Sequence, residues 1–427
     1  MMKQEKNFVV KGDICFSENP TQVTASEQSF AVCVEGVCQG VFREIPEQYQ
    51  GLPVLDFGRS LILPGLTDLH IHAPQYGFRS LGMDLELLEW LNTRTFPEEE
   101  KYQDEEYARK GYGFFAEDLK YGATTRVCAF GTIHRASTEI LMDLLEEAGL
   151  KAMVGKVNMD RNSSPNLTEA GAEASLKETE CWLKEIKGRY ENVRPILTPR
   201  FVPSCSDGLL KGLGELAARE GLPVQSHLSE NQGEIRMVKE LCPWSEFYGD
   251  VYDHFGLFGG ENPAIMAHCV WSSEEEILRM KERGVFVAHC AQSNANLASG
   301  IAPVRRYMDL GLNVGLGTDV AGGVHTSIFR AMADAIMASK LRWRLVDESL
   351  KPLTVEEAFY LGTMGGGAFF GKVGTFKEGY EFDAVVMDDS TLKSPRTLTL
   401  PERLERLVYL SESCRTEAKF VAGRRLF

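Results

Sequence analysis

The sequence predicts an α/β protein in which a (β/α)8 TIM barrel carries a small β domain built from both ends of the chain. Eight apolar strand-like runs alternate with amphipathic helical runs in the central region, residues 64–372. The segments on either side have strand character without a helical period. Five of the eight histidines, at positions 70, 72, 227, 268 and 289, lie at the carboxyl ends of these runs, where a barrel places its catalytic residues.

The amino-terminal segment, residues 1–63, is rich in short alternating stretches such as "FAVCVEGVCQGVF". We expect several short antiparallel strands there. The chain returns to this character in residues 373–427, where 374–389 and 407–427 have the pattern of strands and hairpins. The simplest arrangement joins both segments into one discontinuous domain.

The central strand candidates are residues 61–72, 124–130, 151–159, 193–201, 222–228, 264–270, 285–290 and 312–319. Helical runs separate them, and a further helical stretch follows at 354–370. A doubly wound open sheet is the structural alternative. A nucleotide-binding sheet of that kind normally has a glycine-rich phosphate turn, and neither GxGxxG nor GxxxxGK[ST] occurs.

Composition narrows the classes of function. The chain has 427 residues and a formal net charge of −15, which disfavours nucleic acid as a partner. Since neither a secretion signal nor an 18-residue apolar run is present, we expect no membrane association and a cytoplasmic location. The 10 cysteines form no CxxC pair and are predicted to be reduced thiols.

The stretch "PGLTDLHIHAPQY" places His70 and His72 on the same face of a strand, near its carboxyl end. His227 and Asp319 lie at the ends of the fifth and eighth strand candidates. Imidazole nitrogens and a carboxylate are the ligands of a catalytic zinc site that keeps one position open for water. We therefore predict one zinc ion held by these four residues, and iron(II) accepts the same ligands.

Nearby groups complete a site for metal-assisted hydrolysis by zinc-activated hydroxide. Glu230 can relay protons, Asp319 can accept the proton of the attacking water, and His268 can polarise the electrophile. A helix cap for Asp319 and a first-turn helix acid for Glu230 are the structural alternatives. His289 is expected to be a hydrogen-bonded structural histidine. The chain lacks HExxH, GxSxG and the zinc signature of cytidine-type deaminases.

In their order, "PGLTDLHIHAPQY", "QSHLSE", "MAHCVW", "VAHCAQSN" and "GLGTDVAGG" resemble the strand-end signatures of the amidohydrolase superfamily. The resemblance runs from about residue 60 to the carboxyl end. It implies a metal-dependent barrel over residues 64–372 and a small β-sandwich domain made from residues 1–63 and 373–427.

The resemblance is most specific to the members of this superfamily that deaminate guanine. It is carried by "HAPQY", "DLELLEWLNTRTFPEE" (84–99), "VGKVNMD" (154–160) and "ILTPRF" (196–201). It implies hydrolysis of guanine to xanthine and ammonia, with a small-molecule purine base as the partner. A homodimer is expected only because this is the commonest assembly of soluble oligomers. Gln75 and Arg200 would hydrogen-bond the base and Phe201 would pack on its ring, since a guanidinium fork and an amide suit a carbonyl beside a ring nitrogen.

The site residues that the resemblance implies fall into three sets. The zinc ligands are His70, His72, His227 and Asp319. The catalytic residues are Glu230, His268 and Asp319. The substrate-binding residues are Gln75, Arg200, Phe201, His227, Glu230 and Asp319.

Two features depart from this pattern or leave alternatives open. Relatives commonly have "HCPNSN" after the seventh strand, where this chain has Ala291 and Gln292. Lys156 could suggest a carbamylated lysine between two metals, but we interpret it as structural or as a residue behind the metal ligands. Deamination or dechlorination of another heterocycle, such as a pterin, a triazine or an adenosine derivative, is the nearest rival function. A non-catalytic barrel is the more distant one.

Overall fold

The structure is a computed structural model, and it describes residues 6–427. Among these residues parallel and antiparallel strands alternate with helices along the chain. The strands are β1 (Phe8–Asn19), β2 (Gln22–Val34), β3 (Val37–Phe42), β4 (Val54–Pro64), β5 (Leu66–His72), β6 (Thr124–Phe130), β7 (Lys151–Gly155), β8 (Val157–Asn158), β9 (Val193–Pro195), β10 (Thr198–Pro199), β11 (Val224–Leu228), β12 (Ala264–His268), β13 (Phe286–His289), β14 (Asn313–Leu316), β15 (Ala384–Asp388), β16 (Arg415–Val421) and β17 (Arg424–Arg425).

Most helices follow the central strands and pack against them. The α-helices are α1 (Leu87–Trp90), α2 (Phe96–Glu99), α3 (Glu105–Tyr121), α4 (Arg135–Ala148), α5 (Ala172–Ile186), α6 (Asp207–Glu220), α7 (Gln232–Leu241), α8 (Tyr248–His254), α9 (Glu274–Arg283), α10 (Ala291–Asn296), α11 (Val304–Asp309), α12 (Ile328–Leu345), α13 (Val355–Tyr360) and α14 (Leu400–Leu410). No helix among residues 6–427 has both the length and the apolar composition that a bilayer span needs.

The central strands form two parallel four-stranded sheets, β5-β6-β7-β9 and β11-β12-β13-β14. Every residue of β5, β6, β11 and β12 is buried, as expected for parallel strands covered on both faces. Backbone hydrogen bonds link the two sheets at both flanks. On one flank the Gln225 N–H donates to the Leu197 carbonyl over 2.9 Å, and on the other the Asp319 N–H donates to the His70 carbonyl over 2.9 Å. The arrangement is a mixed α/β fold consistent with a TIM barrel.

Strands from both ends of the chain share one seven-stranded sheet with the order β17-β16-β15-β4-β1-β2-β3. The expected pattern of short antiparallel strands is wrong in two respects. Strands β1 and β2 are 12 and 13 residues long. Strand β1 also pairs with β4 in parallel, while β15 pairs with β4 antiparallel. Strand β1 lies between β2 and β4, and the connection through residues 43–53 crosses from β3 to the far side of β1, so that β4 runs in the same direction as β1.

Two predicted strands differ from the elements in the structure, one because of a proline and the other because of a helix cap. The candidate at 193–201 divides into β9 and β10 after Pro195, which has no N–H to continue the ladder. Residues 407–410 belong to α14 rather than to a strand. Thr399 caps that helix in a capping box with Glu402, and its buried side chains recur at helical spacing.

A buried charged cluster, the junction, joins the terminal sheet to the central region. Arg126, near the start of β6, donates from Nε to Asp383 Oδ2 over 2.8 Å and from Nη2 to Oδ1 over 3.1 Å. Arg126 also pairs with Glu381. Lys419 of β16 donates to the Leu119 carbonyl over 2.7 Å, at the carboxyl end of α3. These contacts place the open carboxyl ends of the central strands on the side away from the terminal sheet.

Candidate active site

Four of the predicted residues meet at the carboxyl ends of the central strands. His70 and His72 lie on β5, His227 lies on β11, and Asp319 follows the end of β14 by three residues. Because parallel strands end at one edge, these side chains converge although they are distant in sequence. Asp319 has a φ of 48°, and this left-handed backbone turns its carboxylate back over the strand ends.

The donor atoms of this group are close enough to share one ion. His70 Nε2 is 3.2 Å from Asp319 Oδ1, and His72 Nε2 is 3.5 Å from the same oxygen. The Nε2 atoms of His72 and His227 are 3.1 Å apart. Ligands held at about 2.0–2.2 Å from a tetrahedral zinc ion lie roughly 3–3.5 Å from one another. The observed spacing therefore fits a single cation.

The hydrogen-bonding state of the imidazoles also fits a cation. His70 Nε2, one of the atoms that face this group, is buried and has no hydrogen bond of suitable geometry within the described residues. His227 is oriented by its Nδ1, which lies 2.6 Å from the Arg200 carbonyl oxygen and leaves Nε2 facing the group. Unpartnered buried nitrogens are costly unless another group, such as a metal, completes them.

The protonation states suit metal ligation. Burial lowers the pKa of His70, and it lowers the pKa of His72 and His227 well below the ordinary value. Neutral imidazole is the form that binds a metal. Burial acts to raise the pKa of Asp319, but the nearby histidines outweigh it and hold that pKa below its usual range. The group therefore offers neutral nitrogens and an ionised carboxylate.

The ligand atoms of His70, His227 and His268 lie within 4.8 Å of one another, and so do those of His70, Cys290 and Asp319. The sequence predicts Cys290 only as a reduced thiol. Burial raises the pKa of its thiol well above the ordinary value. Since the thiolate is the ligating form, this cysteine is a weak candidate ligand.

His268 and Glu230 lie beside the metal-ligand group. His268 Nε2 is 3.5 Å from Glu230 Oε2 and 3.8 Å from Asp319 Oδ2. Burial acts to lower the pKa of His268, but Glu230, Asp319 and Asn294 raise it by more, so the pKa of His268 lies above its ordinary value. Burial raises the pKa of Glu230, whose Oε1 accepts a hydrogen bond from the Ser299 hydroxyl over 2.9 Å. Both shifts favour the protonated form, and both groups lie where a proton could be exchanged beside the metal-ligand group.

The predicted substrate residues line the same pocket as the metal-ligand group. Gln75 follows β5, and Arg200 and Phe201 follow β10. The residues that line this pocket are His72, Gln75, Leu87, Trp90, Leu91, Arg200, Phe201, His227, Glu230, Glu234, His268, Leu297 and Asp319. The lining combines apolar side chains with polar and charged ones, which suits a flat heterocycle with polar edges.

Glu99 is a residue of this site that sequence reasoning missed. Its Oε1 accepts a hydrogen bond from Gln75 Nε2 over 2.8 Å, and its Oε2 accepts one from Arg200 Nη1 over 2.6 Å. Glu99 is the last residue of the stretch "DLELLEWLNTRTFPEE", which carries the resemblance but gives this glutamate no role of its own. No local spacing relates residue 99 to residues 75 and 200, so only a specific motif match could have marked it.

Three residues singled out from the sequence lie outside the metal-ligand group. His289 is buried, but its Nδ1 has no hydrogen-bond partner in the described part of the chain, which differs from the expected hydrogen-bonded role. Lys156 pairs with Glu169 over 2.7 Å. Gln292 accepts a hydrogen bond from the Val324 N–H over 2.7 Å and so holds the loop after β14.

The chain is similar to known proteins in sequence as well as in the geometry of this site. The Amidohydrolase family profile matches residues 61–426. Guanine deaminase of Dictyostelium discoideum is 37% identical over 381 residues, which cover 87% of this chain and 84% of that protein. Guanine deaminase of Mus musculus is 39% identical over 377 residues, which cover 85% of this chain and 82% of that protein.

Solved structures agree with these relatives. A crystal structure of guanine deaminase from C. acetobutylicum, with guanine bound in its active site, is 46% identical to this chain and superposes with a TM-score of 0.95. That superposition covers 99% of this chain and 100% of the other. E. coli guanine deaminase superposes with a TM-score of 0.87 at 30% identity, over 98% of this chain and 99% of the other.

Proposed function

Since the chain belongs to the amidohydrolase family and groups there with the guanine deaminases, we propose that it hydrolyses guanine to xanthine and ammonia. One observation carries the proposal: Gln75 and Arg200 line the same pocket as His72, His227 and Asp319. A base held by the amide and the guanidinium would present its amino-bearing carbon to the metal-ligand group.

We propose that His70, His72, His227 and Asp319 hold one zinc ion per chain. The support is the spacing of their donor atoms and the unpartnered Nε2 of His70. A bound zinc ion would supply a Lewis acid that makes water reactive at neutral pH. Elemental analysis of the purified protein distinguishes zinc from iron(II), which the same ligands accept.

The chain's own residues would move the protons. The ionised carboxylate of Asp319 would take a proton from the attacking water. Glu230 would give its proton to the ring nitrogen beside the reacting carbon and then take up the proton of the added hydroxyl as the new carbonyl forms. It would pass that proton to the amine as the carbon–nitrogen bond breaks, so that ammonia leaves as a neutral molecule, and the proton held by Asp319 would return to Glu230. His268, 3.5 Å from Glu230 Oε2, would stabilise the charge that develops as the water adds. Phe201, His227, Glu230 and Asp319 would contact the base itself.

The architecture supports this placement of the site. We propose that β5, β6, β7, β9 and β11–β14 close into a barrel, for which the hydrogen bonds at both flanks of the sheets are the support. We also propose that residues 6–63 and 373–427 form the small β-sandwich domain and residues 64–372 the barrel; the first five residues of the predicted segment 1–63 lie outside the described part of the chain. A homodimer and a cytoplasmic location stay predictions.

The direct test is to incubate the zinc-loaded protein with guanine and to measure xanthine and ammonia. We expect the two products in equal amounts. Turnover of a pterin, a triazine or adenosine without turnover of guanine would favour the rival heterocycle, and a zinc-loaded protein inactive on all of them would contradict an enzymatic role.

Replacing the proposed proton carrier gives a sharper result. We expect Glu230→Gln to lower kcat by about 10²–10⁴-fold, because the amide cannot take up and release a proton. Its metal content should equal that of the wild type, since Glu230 is outside the proposed ligand set. Activity within a few-fold of the wild type would show that another group carries the proton.

A further inference from the structure

The Glu99 carboxylate lies behind the two residues that would recognise the base. Its exposed fraction is 1%, and each of its oxygens accepts one hydrogen bond, from Gln75 and from Arg200. Glu99 belongs to α2, whereas Gln75 and Arg200 follow strands of the central region. One buried carboxylate thus connects two recognition groups that have no direct hydrogen bond to each other.

The contact to Glu99 determines which way the Gln75 amide points. Gln75 Oε1 accepts a hydrogen bond from the Ala321 N–H over 3.1 Å, while Nε2 donates to Glu99. A flipped amide would place Oε1 against the carboxylate and Nε2 against an N–H group, and it would lose both bonds. The amide therefore keeps one N–H and one lone pair in a fixed orientation for a ligand.

The contact to Glu99 also balances the charge of Arg200. The guanidinium is 3% exposed, and apart from the histidines it is the one basic side chain among the described residues that line the pocket. Its Nη1 lies 2.6 Å from the Glu99 carboxylate. A buried cation with such a partner can still donate hydrogen bonds, but it attracts an anion much less. The pocket is therefore suited to a neutral base with a carbonyl edge.

We propose that Glu99 is a positioning residue for substrate recognition, which orients Gln75 and Arg200 and makes the pocket select neutral over anionic purines. This inference rests on the proposed function, since it assumes that the ligand is guanine. Xanthine has one more carbonyl than guanine and loses a ring proton more readily. The selection would thus separate the substrate from its product.

The experiment compares Glu99→Gln with a matched control, Glu98→Gln, in zinc-loaded protein. Glu98 is the preceding residue and contacts the Tyr107 hydroxyl and Lys101 instead of the pocket residues. We measure KM and kcat for guanine and the inhibition constant Ki for xanthine at a pH where part of the xanthine is ionised. Glu99→Asp, which keeps the charge but shortens the side chain, is a second variant for the case that Glu99→Gln does not fold.

We expect Glu99→Gln to raise the KM for guanine by about 10- to 100-fold, with kcat and zinc content close to wild type. Because Arg200 then lacks its counter-charge, Ki for xanthine should rise less or fall, so that the ratio KM/Ki increases about 10-fold or more. Glu99→Asp should raise KM by about 10-fold through misplacement. Glu98→Gln should match the wild type.

The outcomes separate this inference from the proposed function. A wild-type protein without guanine turnover would reject the proposed function, and with it the assumption that Glu99 orients residues that bind guanine. A wild type that converts guanine, together with a soluble Glu99→Gln or Glu99→Asp variant of unchanged KM, overturns the inference alone. Equal increases in KM and Ki, with an unchanged ratio, would reduce Glu99 to a structural role and also overturn it.

Discussion

The junction and the metal-ligand group are both buried and polar, yet they differ in how their polar atoms are satisfied. At the junction, Arg126 uses Nε and Nη2 on both oxygens of Asp383, and Asp383 Oδ1 also accepts from the Ala422 N–H over 2.8 Å. In the metal-ligand group, the ring nitrogens of His70 have no hydrogen-bond partner within the described residues. Completed partners indicate a structural role, whereas convergent atoms without partners indicate a place for a ligand.

The pKa shifts follow the same division. Burial acts to lower the pKa of Arg126, but Asp383 and Glu381 outweigh it, so the cation is stabilised. Burial is the largest influence on His72 and His227, and their pKa values fall well below the ordinary range. Arg126 therefore stays charged at the junction, while His72 and His227 are neutral and available as ligands.

The largest expected effect comes from removing a charge of the metal-ligand group. We expect Asp319→Asn to lower guanine turnover by about 10⁴-fold, because the residue is both a proposed ligand and the proposed proton acceptor. Its zinc content should fall as well, since the variant lacks one of the four proposed ligands. Xanthine formation and elemental analysis measure the two effects. Guanine turnover within a few-fold of the wild type, at full zinc content, would show that Asp319 is neither a ligand nor the proton acceptor.

The reverse result is expected at the junction. Arg126→Met leaves the buried Asp383 carboxylate without its cation, so the free energy of unfolding should fall by about 3–5 kcal/mol. The folded fraction should still convert guanine, because the junction lies away from the pocket. In the double variant Arg126→Met/Asp383→Leu most of the lost stability should return. Unfolding in urea tests both variants, and additive losses in the double variant would show that the two residues do not act as a pair.

A smaller effect concerns Lys419 and pH. Burial lowers its pKa from 10.5 to about 7, although Asp383 opposes this shift. Between these two values the unfolded chain binds more protons than the folded one, so the contribution of Lys419 to stability increases as pH rises from 7 to 10 and is lost as pH falls through about 7. Lys419→Met removes this dependence. The stability of the variant minus that of the wild type should therefore decrease as pH rises, and a constant difference would contradict the buried neutral lysine.

How much of the site could be predicted depends on whether its signal is local. His70 and His72 were found from two-residue spacing at a strand end, and His227 and Asp319 from their positions at other strand ends. Glu99 was not found, because its partners Gln75 and Arg200 are 24 and 101 residues away. No periodic pattern in the sequence indicates which carboxylate will contact which arginine in the folded structure.

The same limit applies to the fold. The alternation of strands and helices predicted the central region because each repeat is local. The parallel pairing of β1 with β4 was missed, since period-two patterns specify which face of a strand is buried but do not name its neighbours. The sequence predicts strand rather than helix at residues 407–410, because the start signal of α14, Thr399 with Glu402, lies before the segment 407–427.

Strand β4 continues through Gly65 directly into β5, which carries His70 and His72. The Gly65 N–H donates to the Asp383 carbonyl over 3.1 Å, and β4 pairs with β15. During synthesis His70 and His72 therefore leave the ribosome long before Asp383 and β15, which hydrogen-bond to Gly65 and to β4. A nascent chain that ends before residue 383 would carry an open β4 edge and an Arg126 without its counter-ion, so this enzyme must finish assembling after its last strands have been made.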